Sequence, residues 1–134
     1  MPTPLFILQV EDDHDDVELL QDAFKENGVL FTVEVIKQGD KVLPWFEQAT
    51  RLPDVVIMDL NLPKMHGKEI LCKLKDNEKF KSIPVVILTT SSSKAEMTFC
   101  LDNGADEFIT KPSSVEGFRR AVDIILSVAA KPSC

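Results

Sequence analysis

The chain has 134 residues, with 15 Lys or Arg against 22 Asp or Glu, for a net charge of −7. That length fits one domain, and an apolar fraction of 44% argues against a disordered chain. No apolar run approaches the ~18 residues of a membrane span, and the acidic balance makes the chain a poor binder of nucleic acid. Met1-Pro2-Thr3-Pro4 lacks the basic start of a signal peptide. Cys72, Cys100 and Cys134 form neither a zinc pattern nor a CxxC motif. A cytoplasmic protein is expected, with two packed thiols and one tail thiol.

Two kinds of segment alternate along the chain. Leu5–Val10, Val55–Met58 and Val85–Leu88 are short apolar runs that read as buried parallel strands. Leu30–Ile36 alternates polar and apolar residues and reads as a strand near an edge; Asp106–Lys111 is a fifth candidate. Between them lie helical patterns. Val17, Leu20 and Phe24 precede the stop signal Asn27-Gly28. Val42, Phe46 and Ala49 form a second pattern, in which Pro44 predicts a late start or a kink. Ile70 and Leu74 mark a third helix after Gly67, and Met97 and Leu101 a fourth ending at Asn103-Gly104. Val115, Phe118, Val122, Ile125 and Ala129 mark a long fifth. Five βα units predict a doubly wound α/β fold with a five-stranded parallel sheet, helices on both faces, and no room for a second domain. Ligands of such folds lie beyond the C-terminal strand ends.

After the first strand comes Glu11-Asp12-Asp13, with no glycine between Met1 and Asn27 to build a phosphate-binding loop. Adjacent acids there suit a hard cation; equally, they favour the helix macrodipole, with Asp13 placed as a cap. Asp59 directly follows Val55–Met58, and an acid at so apolar a strand end is costly unless paired, metal-bound or catalytic. Thr89, Thr90, Ser91, Ser92 and Ser93 follow the fourth strand and can either bind phosphate oxygens or cap a helix. Lys111-Pro112 follows the fifth. In one sheet Asp12, Asp59, Thr89 and Lys111 would face one crevice. Two carboxylates, a hydroxyl and a cation suit reversible phosphorylation of an aspartate with Mg²⁺.

Those residues, with Gly67, resemble the receiver domain of two-component response regulators over about Leu5 to Leu126. Within that family the stretches VEDDHDDVELL, MDLNLPKMHGKEIL, IPVVILTTSSS and GADEFITKPS are most similar to small stand-alone receivers of the cyanobacterial phytochrome response regulator group. The resemblance implies the strand order 2-1-3-4-5 and a single receiver domain over 1–134, with a core of about 5–130 and no output domain. It implies that Asp59 is the phosphoacceptor for a sensor histidine kinase, here of phytochrome type. Asp12, Asp59 and the backbone carbonyl of Asn61 would ligate Mg²⁺, with Glu11 acting through a water. Lys111 would pair with Asp59 or its phosphoryl group, and Thr89 would donate its hydroxyl to that group. Thr89 and Phe108 would form the switch, while Asn61 and Ser91 would tune hydrolysis toward an intermediate lifetime. The same resemblance makes Lys111–Pro112 a candidate cis peptide and lets Thr90 restrict access to the phosphoryl group. His66 and His14 match no functional position and read as rim residues.

On the fifth helix a second stripe, Gly117, Ala121, Ile124 and Val128, runs beside the first. It reads either as a homodimer face on the fourth helix, fifth strand and fifth helix or as a wider core face. Output would be a contact with an effector protein or onward phosphotransfer. A haloacid-dehalogenase-type phosphatase would need an acid where Asn61 stands. A flavodoxin-like carrier would need a phosphate loop. A degenerate receiver that only binds partners would not need the full acceptor set present here.

Overall fold

A computed structural model describes residues 3–130, so Cys134 lies outside it. The chain alternates strand and helix as β1 (Leu5–Val10), α1 (His14–Asn27), β2 (Phe31–Ile36), α2 (Val42–Gln48), β3 (Val55–Met58), α3 (Gly67–Lys75), β4 (Val85–Thr89), α4 (Lys94–Asp102), β5 (Glu107–Thr110) and α5 (Val115–Ala129). The five strands form one parallel sheet in the order β2-β1-β3-β4-β5. β2, the alternating strand, is an edge as expected.

The central apolar runs serve two cores at once, because successive side chains of a strand point to opposite faces. Leu8, Val10, Val56, Met58, Val85 and Ile87 join α2, α3 and α4 on one face. Ile7, Val55, Ile57, Val86 and Leu88 meet Leu20 and Phe24 of α1 and Phe118, Val122 and Ile125 of α5 on the other.

Local chemistry explains the helix ends. Asp13, Ser93 and Ser114 cap α1, α4 and α5 by accepting the N–H groups of Asp16, Glu96 and Gly117. Gly28 ends α1 in the left-handed conformation at φ 85°. Pro44 falls in the first turn of α2, where its missing N–H is tolerated; a 3-10 turn at Gly39–Lys41 precedes it, and the helix starts at Val42 itself, not late as Pro44 suggested.

Three other expectations are corrected. The inward residue of α4 is Cys100, fully buried, while Leu101 is 43% exposed. On α5, Val115 of the first stripe is exposed, while Ala121 and Val128 of the second are buried, so much of the second stripe follows the wider-core reading as the helix packs beside α1. The Lys111–Pro112 bond is trans, like every peptide bond among the described residues, the isomer favoured by about 0.5–1 kcal/mol at proline.

Candidate functional site

Parallel register brings the strand ends level. Val10 pairs with Met58, and Thr89 with Thr110. Glu11, Asp59 and Lys111 are each the first residue beyond their strands, and their N–H groups bond Ile36, Val10 and Thr89 carbonyls at 3.0, 3.0 and 2.7 Å. The side chains at this edge are therefore set by sheet hydrogen bonds and not by loops.

Glu11 and Asp59 are buried, while Asp12 is exposed. One oxygen from each of these three carboxylates lies within 4.8 Å of the others, a spacing that could hold a metal ion. Hard oxygen donors with one open side suit a hard divalent cation that keeps several waters. Asp59 Oδ1 accepts the N–H groups of Leu60 at 2.7 Å and Asn61 at 3.4 Å. Its Oδ2 accepts from Lys111 Nζ at 3.0 Å.

Lys111 is the electrostatic centre. Its side chain is 7% exposed, and Nζ reaches Glu11 Oε1 at 2.7 Å, Asp16 Oδ2 at 2.7 Å and Asp59 Oδ2 at 3.0 Å. Burial alone would lower its pKa, but the hydrogen bonds to Asp16, Glu11 and Asp59 outweigh that and hold it above the ordinary lysine range. Glu11 moves the other way. Burial, reinforced by the Asp59 charge, raises its pKa to about 7 against the opposing bonds from Lys111 and the Asp13 N–H.

The segment after Asp59 is held by two close approaches. Gly67 donates to the Leu60 carbonyl at 2.8 Å, and a Cβ at Gly67 would stand 2.6 Å from the Asp59 carbonyl oxygen. A Cβ at Gly39 would stand 2.0 Å from the Met65 carbonyl oxygen. Between them Lys64 takes φ 75°, a strained value for a side-chain-bearing residue. The start of α3 can press against the acceptor segment only because position 67 has no side chain.

Thr89 is fully buried at the end of β4, and its Oγ1 accepts the Ser91 N–H at 3.4 Å. Ser91 donates its hydroxyl to Glu96, and Glu96 faces Lys68 of α3 at 3.6 Å. The Ser91 hydroxyl, with Lys68 and His66 nearby, holds Glu96 below the usual carboxylate range. Phe108 is half-buried against the α2–α4 core. Asn61 and Thr90 are exposed.

The structure thus gathers Glu11, Asp12, Asp59 and Lys111 and sets Thr89 one hydrogen bond into the neighbouring loop. Sequence reasoning missed Asp16, the third carboxylate on Lys111. Its signal was an acid in the first turn of α1, indistinguishable in sequence from Asp15, which makes no such contact. It also missed His66, whose Nδ1 accepts the Lys68 N–H at 3.1 Å and caps α3. His14 is a rim residue beside Glu18.

The family model for the response regulator receiver domain matches residues 7–123. The chain belongs to this family. The receiver is 34% identical over 126 residues to the probable methanogenesis regulatory protein FilR2 of Methanothrix harundinacea, covering 91% of this chain and 81% of that one. It is 30% identical over 129 residues to response regulator Rcp1 of a Synechocystis species, covering 92% and 88%. Among solved structures, the phosphorylated cyanobacterial phytochrome response regulator RcpA superposes with a TM-score of 0.87 at 29% identity, covering 98% of the receiver and 100% of RcpA. The Mn²⁺-bound form of Rcp1 gives 0.86 at 28% identity, covering 98% and 99%. Among the described residues of this receiver, no helix is long and apolar enough to cross a membrane.

Proposed function

We propose that Asp59 accepts a phosphoryl group from the phosphohistidine of a sensor histidine kinase, and that the receiver signals by switching its α4–β5–α5 surface. The observation that carries this is Asp59 itself: a carboxylate 6% exposed, one oxygen fixed by backbone N–H groups and the other turned to Lys111. In the transfer, Asp59 Oδ2 forms a bond to phosphorus as the phosphorus–nitrogen bond to histidine breaks. The histidine nitrogen keeps the electron pair, and an acyl phosphate results. Lys111 orients the attacking oxygen beforehand and neutralises phosphoryl oxygens afterwards.

Asp12, Asp59 and the Asn61 carbonyl would hold Mg²⁺, with Glu11 acting through a water. The bound ion supplies charge compensation for a phosphate entering an acidic pocket. Thr89 would release Ser91 and donate to a phosphoryl oxygen. Phe108 would turn toward the space vacated, a population shift between two surfaces. Asn61 and Ser91 would set the phosphoryl lifetime. The RcpA and Rcp1 likenesses support a phytochrome-type kinase as donor and a protein effector or onward phosphotransfer as output, in the cytoplasm. The exposed Phe99, Leu101 and Ile124 on α4 and α5 support a homodimer through that face.

Intact-protein mass spectrometry after incubation with Mg²⁺ and acetyl phosphate tests the central claim. One phosphoryl adduct is expected in the wild type and none in Asp59→Asn. An adduct that persists in Asp59→Asn, or that never forms in the wild type even with a phosphorylated kinase, refutes it.

A further inference from the structure

Lys111 bonds three carboxylates, and only two of them belong to the cation cluster. An ammonium has three N–H donors, so Glu11, Asp16 and Asp59 together take them all. Glu11 and Asp59 are also candidate cation ligands. A divalent cation at the cluster and the ammonium therefore compete for the same carboxylates, and their like charges repel. The one carboxylate Lys111 already touches outside the cluster is Asp16, at 2.7 Å.

We propose that Asp16 is a positioning residue for Lys111. It takes the ammonium when a divalent cation binds at the Glu11–Asp12–Asp59 cluster, and keeps it within reach of a phosphoryl group on Asp59. Asp16 is built for this place. Its N–H is held by Asp13 Oδ1 at 3.1 Å, and the Asp13 N–H is held in turn by Glu11 Oε2 at 3.2 Å. The first turn of α1 is thereby tied to the cluster it flanks. The Asp16 side chain is 25% exposed against 7% for Lys111 and 5% for Glu11, so the ammonium steps toward solvent when it moves there. The inference deepens the proposed function and rests on its cation site.

The test is a double-mutant cycle on Mg²⁺ affinity, read by isothermal titration calorimetry on the full chain: wild type, Asp16→Asn, Lys111→Ala and the double variant. Asp16→Asn keeps the shape of a partly exposed side chain, so the fold is retained. The expected result is a Mg²⁺ Kd raised about tenfold in Asp16→Asn, since an ammonium left without Asp16 stays on Glu11 and Asp59. In the Lys111→Ala background the same substitution should change Kd by no more than about twofold. An equal loss in both backgrounds is what a bare nearby charge produces and overturns the proposal; so does an unchanged Kd in Asp16→Asn. Failure of all four proteins to bind Mg²⁺ instead overturns the cation site itself.

Discussion

Replacing Gly67 with Ala tests how closely α3 presses on the acceptor segment. The new Cβ would lie 2.6 Å from the Asp59 carbonyl oxygen and 2.8 Å from Leu60 Cα. Both are backbone atoms that cannot swing aside, so the segment or the helix must shift. Overpacking of this kind costs about 1–3 kcal/mol. Alanine returns about 0.5–1 kcal/mol through helix propensity and a less flexible unfolded chain, leaving a net loss of up to about 2.5 kcal/mol. At about 2.1 cal/mol/K per residue, a chain of 134 residues loses up to about 9 °C in Tm. Because the displaced atoms are those of Asp59 and Leu60, the Mg²⁺ Kd should rise as well. Thermal melts without Mg²⁺ and calorimetric Mg²⁺ titrations measure the two effects. Gly28→Ala is the control: its φ of 85° strains an alanine, but nothing lies within 4 Å, so stability falls while Mg²⁺ binding stays. A Gly67→Ala protein that melts at or above the wild-type temperature would refute the claim that position 67 is sterically closed.

Other outcomes follow from the same geometry. Glu11 has a folded pKa of about 7 against 4.5, so the folded protein holds the extra proton between those values; without Mg²⁺, stability should fall as pH rises through that window, by at most about 3 kcal/mol. Melts from pH 4.5 to 8 should flatten in Glu11→Gln, and an unchanged slope would contradict the assignment. Ser91→Ala frees Glu96 from the loop that holds Thr89, and the Asp59 phosphoryl lifetime, read by mass spectrometry over time, should change at least about threefold if that loop tunes hydrolysis; an unchanged lifetime removes Ser91 from that role. Ile124 is 38% exposed and Val128 2%, so Ile124→Asp should cost under about 1 kcal/mol and Val128→Asp over about 3 kcal/mol in urea denaturation. Sedimentation of Ile124→Asp identical to wild type would dismiss the dimer face.

The strands were legible because a parallel sheet buried on both faces writes itself as runs of Val, Ile, Leu and Met: Leu5–Val10 and Val55–Met58 match their observed bounds. The site followed, since topology places what comes after each strand. Less was legible where a short helix has few apolar positions. In α4 a small Cys carries the burial and Met97 and Leu101 mislead, because periodicity scores side-chain type and not helix depth. On α5 the second stripe left two readings open, and the burial of Ala121 and Val128 follows the wider-core one, because a helix wedged beside another buries more than one stripe. Asp16 was hidden because a cap-region acid and a lysine partner have the same sequence signature, and only the 95-residue separation closed by the fold tells them apart.

The division of the sheet into two cores has a consequence for how such a chain can vary. Val55 and Val56 are neighbours in sequence, yet one packs toward α1 and α5 and the other toward α2, α3 and α4. A change at one position perturbs a different hemisphere from a change at the next. A substitution at Val56 or Met58 can therefore retune the packing around Leu60 and Phe108 while leaving the α1–α5 core untouched.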